Sequence, residues 1–193
     1  PGKGPLAMRL RLASGASMDL TEAGTQKRLA VSVVRDPLHI PAVAALGPDP
    51  LGSDLTVDRW RSLLADAGRA QLKGVLRDQS RVAGIGNAYS DEILHRARLR
   101  PDRSAASLER RRFVRLADAV VEVLGEAIAA RIKDLLALGA DLILTSGGMS
   151  VDPDDVTREG VRKAGAGSLL YGSAVLPGAM FMVAFIKDVP VLG

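Results

Sequence analysis

The chain has 193 residues, 47% hydrophobic, 25% charged and 3% aromatic, with a formal net charge of +4 and no cysteine. That length gives one ordinary domain or two small ones with a core to bury. The missing cysteines exclude disulfides, cysteine-ligated zinc and cysteine nucleophiles, and the scarcity of rings argues against recognition by stacking. The basic excess is local: residues 1–130 hold 20 Lys+Arg and 15 Asp+Glu, and residues 131–193 hold 6 and 7. An anionic partner is therefore expected for the first two thirds only. No signal peptide opens the sequence, and the cytoplasm is the expected location.

Residues 1–50 read as strands and turns. "LAMRLRLASG" and "KRLAVSVVRD" alternate apolar and polar side chains as half-buried strands do, with turn residues between them. "LGPDPLGSD" forbids a continuous helix or ladder, and a domain boundary is expected there. Helices follow. "SDLTVDRWRSLLADAG" offers Ser53 or Thr56 as a cap and sets Trp60, Leu63, Leu64 and Ala67 on one face. "AQLKGVLRDQS" and "NAYSDEILHRARL" are the second and third. After a break at Pro101, Ser107 is expected to cap "LERRRFVRLADAVVEVLGEAIAARIKDLLALG", either one long helix or two joined at Gly125.

From Ala140 the texture changes. "DLILTS" is a short apolar run of the kind found in parallel sheets covered on both faces. "GGMSVDPDD" reads as a loop, "VTREGVRKAG" as a helix, and "LLYG" and "VPVLG" as strands, which is βαβ texture. Residues 168–186 lack charge over nearly a membrane span, but Gly172 and Pro177-Gly178 interrupt them, so two buried elements and no membrane association are expected. His39 and His95 have no partner at ligand spacing, and no metal site is expected.

The most informative stretch is "LRDQSRVAGIGNAYSDEIL", residues 76–94. A helix restarting at Asn87 after "GIG" presents free backbone amides and the positive end of its dipole. The glycines let a phosphate or another backbone approach closely. Lys73, Arg77, Arg81, Arg96, Arg98, Arg100 and Arg103 flank the break. Phosphate contacts of this kind position a duplex without reading its sequence. The plainer alternative is a tight helix–helix turn with Asn87 as an ordinary N-cap.

Residues 72–108, "LKGVLRDQSRVAGIGNAYSDEILHRARLRPDRSAASL", resemble the helix–two-turn–helix motif of the formamidopyrimidine-DNA glycosylase and endonuclease VIII family. The order of Lys73, the Asp78-Gln79 pair, "GIGN", "DEIL" and "RPDR" carries the resemblance. It extends back through "LGPDPL" and "DLTEAGTQKRLAVSVVRD" to about residue 4, and forward to about residue 128. It implies double-stranded DNA as partner, with Asn87 and Gly86 at the phosphates and Lys73 and Arg103 on the same surface. Members of the family remove oxidised bases and cleave the abasic strand by Schiff-base chemistry. Their nucleophile is an N-terminal proline followed by glutamate, completed by a β-domain lysine and a finger arginine. Here Gly2 follows Pro1, and "PGKGPLAMRLRL" resembles later β-strands of the family. Pro1 is accordingly not taken as the nucleophile, nor Lys3 as the catalytic lysine, and no catalytic residue is assigned.

Residues 141–193 resemble part of the molybdopterin-binding domain of molybdenum-cofactor biosynthesis proteins, in the order of strand, "SGGMS", "PDD" and "LPGAM". The resemblance implies a pterin-phosphate loop at Gly147, Gly148 and Ser150, with Asp155 as a metal or catalytic acid and Pro177-Gly178 as a second loop edge. Molybdopterin and Mg²⁺ are the cofactors implied, since Mg²⁺ favours carboxylate and phosphate oxygens. A glycine turn before an Asp-capped helix is the plainer alternative. Half a sheet leaves an unpaired edge, a candidate surface for oligomerisation.

The expected fold is α+β. Residues 1–50 form the closing strands of a β-domain, 51–130 a helix–two-turn–helix DNA-binding domain, and 131–193 a partial parallel-sheet α/β segment. The leading functional expectation is a DNA-binding, base-excision-repair-like protein without its own catalytic residues. A molybdenum-cofactor biosynthesis protein and a chimeric chain with no intact activity are the alternatives.

Overall fold

The computed structural model describes residues 4–22, 25, 29–52, 54–145, 156–172 and 181–193. Two compact units divide the chain, Pro1–Ala44 and Ala45–Gly193.

In the first unit, β1 (Leu6–Arg11) and β2 (Ser17–Thr21) form an antiparallel hairpin. Arg9 and Asp19 stand directly opposite and make a two-pronged ion pair at 2.6 and 2.7 Å. Both side chains are solvent-exposed, so the pair adds little stability. The second expected strand, within "KRLAVSVVRD", is a correction. Residues 29–34 form no ladder, and Leu29, Val31, Val33 and Val34 remain exposed. Alternation supplies β preference, but a strand also needs a neighbour to bond with, and among the described residues β1 and β2 pair only with each other. A 3-10 turn at Pro37–His39, capped by Asp36 accepting from the Leu38 amide at 2.9 Å, leads into the short helix α1 (Pro41–Ala44).

The second unit begins with the proline-rich stretch, which lies on the helices. The Gly47 amide donates to the Gln79 carbonyl at 2.8 Å, and the Ala83 amide donates to the Pro48 carbonyl at 3.0 Å. Helix α2 (Val57–Asp66) starts at Thr56, whose hydroxyl accepts from the Arg59 amide at 3.2 Å. It buries Trp60 and Leu64, with Leu63 and Ala67 partly buried beside them. Helix α3 (Leu72–Arg77) buries Leu72, Val75 and Leu76, the i, i+3, i+4 spacing of one face. Its first amides are satisfied by a neighbouring loop: Leu72 donates to the Arg103 carbonyl and Lys73 to that of Pro101. Helix α4 (Asn87–Arg96) buries Ser90, Ile93 and Leu94.

Helix α5 (Arg110–Ala137) is a single run of 28 residues, about 42 Å long at the α-helical rise. Gly125 lies inside it without dividing it. Ser107 does not cap it. That residue belongs to the 3-10 turn Ala105–Ser107, its hydroxyl donates to the Ser104 carbonyl, and Glu109 occupies the cap position. The helix serves two cores. Phe113, Leu116, Val120 and Val123 pack with Trp60, Leu72, Leu76, Ile85 and Ile93. Further along, Ala129 and Ile132 pack with Ile143, Val161, Met182, Ala184, Ile186 and Val191. The segments expected as separate domains, 51–130 and 131–193, thus share one helix within one unit.

The second core lies under a four-stranded sheet in the order β3-β6-β5-β4, with β3 (Ile143–Leu144), β4 (Ser168–Gly172), β5 (Phe181–Ile186) and β6 (Val189–Leu192). Helix α6 (Val156–Lys163) packs against α5. The expected parallel sheet is a second correction: β3–β6 is parallel, whereas β4–β5 and β5–β6 are antiparallel. A two-residue turn, Lys187-Asp188, joins β5 to β6, and so short a link reverses the chain. Nor, among the described residues, is β3 covered on both faces. It is an edge strand, with Leu144 at 71% exposure. Residues 168–186 contribute β4 and β5, and no helix among the described residues is long and apolar enough to cross a membrane.

Candidate nucleic-acid interface

The segment between α3 and α4 is fixed from its own side chains. Val82 and Ile85 are fully buried and anchor it inward. The Asp78 carboxylate accepts from the Ser80 hydroxyl at 2.6 Å, from the Ser80 amide at 3.1 Å and from Arg81 Nε at 3.2 Å. These donors, the Ser80 hydroxyl foremost, hold its pKa below the ordinary carboxylate value. A depressed pKa contributes stability that is complete above the unfolded value and lost as pH falls through the folded one. Asp78→Asn is therefore expected to weaken the turn at neutral pH and to remove its loss in acid below about pH 4. Thermal unfolding between pH 7 and pH 2.5 measures both effects.

Gly84 takes φ +81°, a conformation that a side chain disfavours. Helix α4 begins at Asn87 with Gly86 in the cap position, and no side chain caps it. Asn87 is thus the first helical residue, not the cap that the plainer turn required. It is exposed, and its carbonyl accepts from the buried Ser90 hydroxyl at 2.7 Å. Around Gly84 and Gly86, the places where a Cβ would stand are open space among the described residues. Among the described residues the first turn of α4, residues 87–89, is exposed, with the positive end of the helix dipole behind it.

The expected cations are distributed unevenly. Lys73 Nζ lies 2.7 Å from Asp91, one helical turn beyond Asn87 on α4, so Lys73 joins this face with its charge already paired. Arg103 lies in the loop whose backbone meets Leu72 and Lys73, and its Nε is buried without a hydrogen-bond partner. Arg81 pairs with Asp78, and Arg100 with Asp102. Arg96 bonds Glu122 and Glu126 of α5 at 2.9 and 2.8 Å, and its hydrogen bonds hold Glu126 below the ordinary carboxylate range. Arg77 and Arg98 are exposed and form no ion pair among the described residues. Composition had counted seven flanking cations alike, and the fold commits four of them to carboxylates.

Sequence reasoning noticed the Asp78-Gln79 pair but gave Gln79 no role. In the structure its amide group spans the break, donating to the carbonyls of Arg77 and Ile85 at 3.1 and 3.0 Å and accepting from the Gly84 amide at 2.8 Å. Gly147, Gly148, Ser150 and Asp155, with Pro1, Lys3, Pro177 and Gly178, lie outside the described residues. Among the described residues no cluster of three His, Asp or Glu side chains could hold a metal.

Residues 46–135 match the family model of the formamidopyrimidine-DNA glycosylase H2TH domain. That match spans α2, α3, α4 and nearly all of α5. Over 94 residues the chain is 46% identical to the formamidopyrimidine-DNA glycosylase of Heliobacterium modesticaldum, covering 49% of this chain and 34% of that protein. Over 121 residues it is 39% identical to the enzyme of that name from Desulfitobacterium hafniense, covering 63% and 44%. Among solved structures it is similar to the Lactococcus lactis Fpg in a complex with DNA containing an abasic site, at 27% identity and a TM-score of 0.44, covering 50% of this chain and 35% of that one. The chain thus spans less than half the length of these relatives.

Proposed function

We propose that the second unit binds double-stranded DNA through its phosphate backbone, as part of a base-excision-repair-type protein related to DNA glycosylases. The observation that carries this reading is the 46% identity with a formamidopyrimidine-DNA glycosylase over 94 residues. The uncapped, open start of α4 supports it physically: amides at a helix N-terminus favour an anion and need no base contact. In this reading Gly86 and Asn87 hold the phosphate, with Lys73 and Arg103 beside them. The proposal concerns binding, and it assigns no residue to base removal or strand cleavage. A pterin-phosphate site in the C-terminal segment would rest on residues outside the described ones, and nothing in the described strands favours it.

Fluorescence anisotropy of a labelled duplex tests the reading. Asn87→Ala is expected to weaken binding roughly tenfold, the scale of one hydrogen bond to a charged group, without changing the thermal midpoint by more than a degree or two. Equal affinity in the two proteins, or no affinity in the parent chain, defeats it.

A further inference from the structure

Gripping an anion with backbone amides requires those amides to be held in place beforehand, because ordering a loose loop would use up the affinity. The glycine break is held by hydrogen bonds to its own backbone, and among the described residues the places where a Cβ would stand at Gly84 and Gly86 are open. The side chain of Gln79, a solvent-exposed residue, makes three hydrogen bonds that tie the last residue of α3, Arg77, to Gly84 and Ile85, immediately before the α4 cap. The Arg77 carbonyl is one of the helix-end groups that would otherwise lack a partner. The backbone of Gln79 is held in turn, because its carbonyl accepts from Gly47. Gly47 fits there only as glycine: a Cβ would stand 2.4 and 2.5 Å from the Arg81 carbonyl carbon and oxygen and 2.8 Å from the Val82 nitrogen. All three are backbone atoms, so nothing can turn aside. One residue on, Pro48 accepts from Ala83.

We propose that Gln79, backed by Gly47, is the positioning residue that sets the Gly84–Asn87 backbone for phosphate binding; this rests on the DNA-binding reading. Gln79 acts through the loop and does not touch the nucleic acid. The stretch at 46–50 is then part of the binding machinery and not a linker.

The test uses the full chain, a labelled duplex and amide hydrogen exchange. Gln79→Ala, and Gln79→Met, which keeps the length without the bonds, are each expected to weaken binding about tenfold, the worth of one to two hydrogen bonds. The Gly84 amide should exchange faster while the Val120 amide in the α5 core does not. Gly47→Ala pushes the same loop from behind and should weaken binding comparably. Because both changes act on one loop, the double variant should lose clearly less than the product of the two single losses. Wild-type affinity in Gln79→Ala overturns the proposal, as do losses that multiply or a Val120 amide that quickens in step with Gly84. A parent chain with no duplex affinity sinks the DNA reading and this proposal together; retained affinity in Gln79→Ala sinks this proposal alone.

Discussion

Replacing Trp60 with alanine is expected to lower the stability of the second unit by about 3–5 kcal/mol, the range for emptying a large aromatic site in a packed core. Trp60 is the only tryptophan of the chain and is 2% exposed, packed among residues of the first core. The surrounding helices are held by several independent anchors, including the α3 amides bonded to Arg103 and Pro101, so they cannot collapse freely into the space. Far-UV circular dichroism during thermal unfolding measures the loss. Leu170→Ala, at a site 72% exposed, should stay within about 0.5 kcal/mol as a control. A Trp60→Ala loss below 1 kcal/mol would mean that the α2 face is not seated on α5 as described. Because α5 contributes side chains to both cores, the loss should appear in a single transition, with strand and helix signals melting together.

Raising the salt concentration from 50 to 200 mM is expected to weaken duplex binding by roughly 40-fold, from a slope of about −0.9 per phosphate neutralised. That figure counts three cations: Arg77, Arg98 and Arg103. All seven flanking cations acting freely would give a loss of several thousandfold over the same range. The difference arises because Lys73, Arg81, Arg96 and Arg100 each face a carboxylate at 3.2 Å or less. A cation that must leave a carboxylate to meet a phosphate exchanges one anion for another and releases few counterions. Anisotropy titrations at four salt concentrations give the slope. A value near −6 would mean that these ion pairs open on binding, and a flat response would remove the phosphate backbone as the partner.

Several features were legible in the chain itself. The i, i+3, i+4 spacing of Trp60, Leu63 and Leu64 and of Leu72, Val75 and Leu76 specified buried helix faces, and both faces are packed as that spacing requires. Thr56 as a cap and the restart of a helix at Asn87 were equally local matters, settled by a hydroxyl three residues from an amide and by glycines that end one helix before another begins. Of the C-terminal strands, "LLYG" and "VPVLG" were readable and contain β4 and β6, whereas β5 was legible only as one of two buried elements, and its Phe185 is exposed. Helix periodicity and side-chain alternation are properties of neighbours in sequence, and such neighbours are always present.

Tertiary structure decided what depends on distant partners. "KRLAVSVVRD" has the pattern of a strand, but its residues 29–34 find no ladder among the described residues, while β3 finds β6 some 48 residues away and takes its direction from that pairing. Lys73 meets Asp91 18 residues on, and Arg96 meets glutamates 26 and 30 residues on, so among the described residues seven similar cations become three without an ion pair and four that are engaged. The close fit of Gly47 against Arg81 and the grip of Gln79 across the glycine break arise only once α3 and α4 are folded beside the 46–50 stretch. A hydrogen bond or an ion pair requires two groups within about 3 Å, and the chain sets that distance only through the packing of the helices between them.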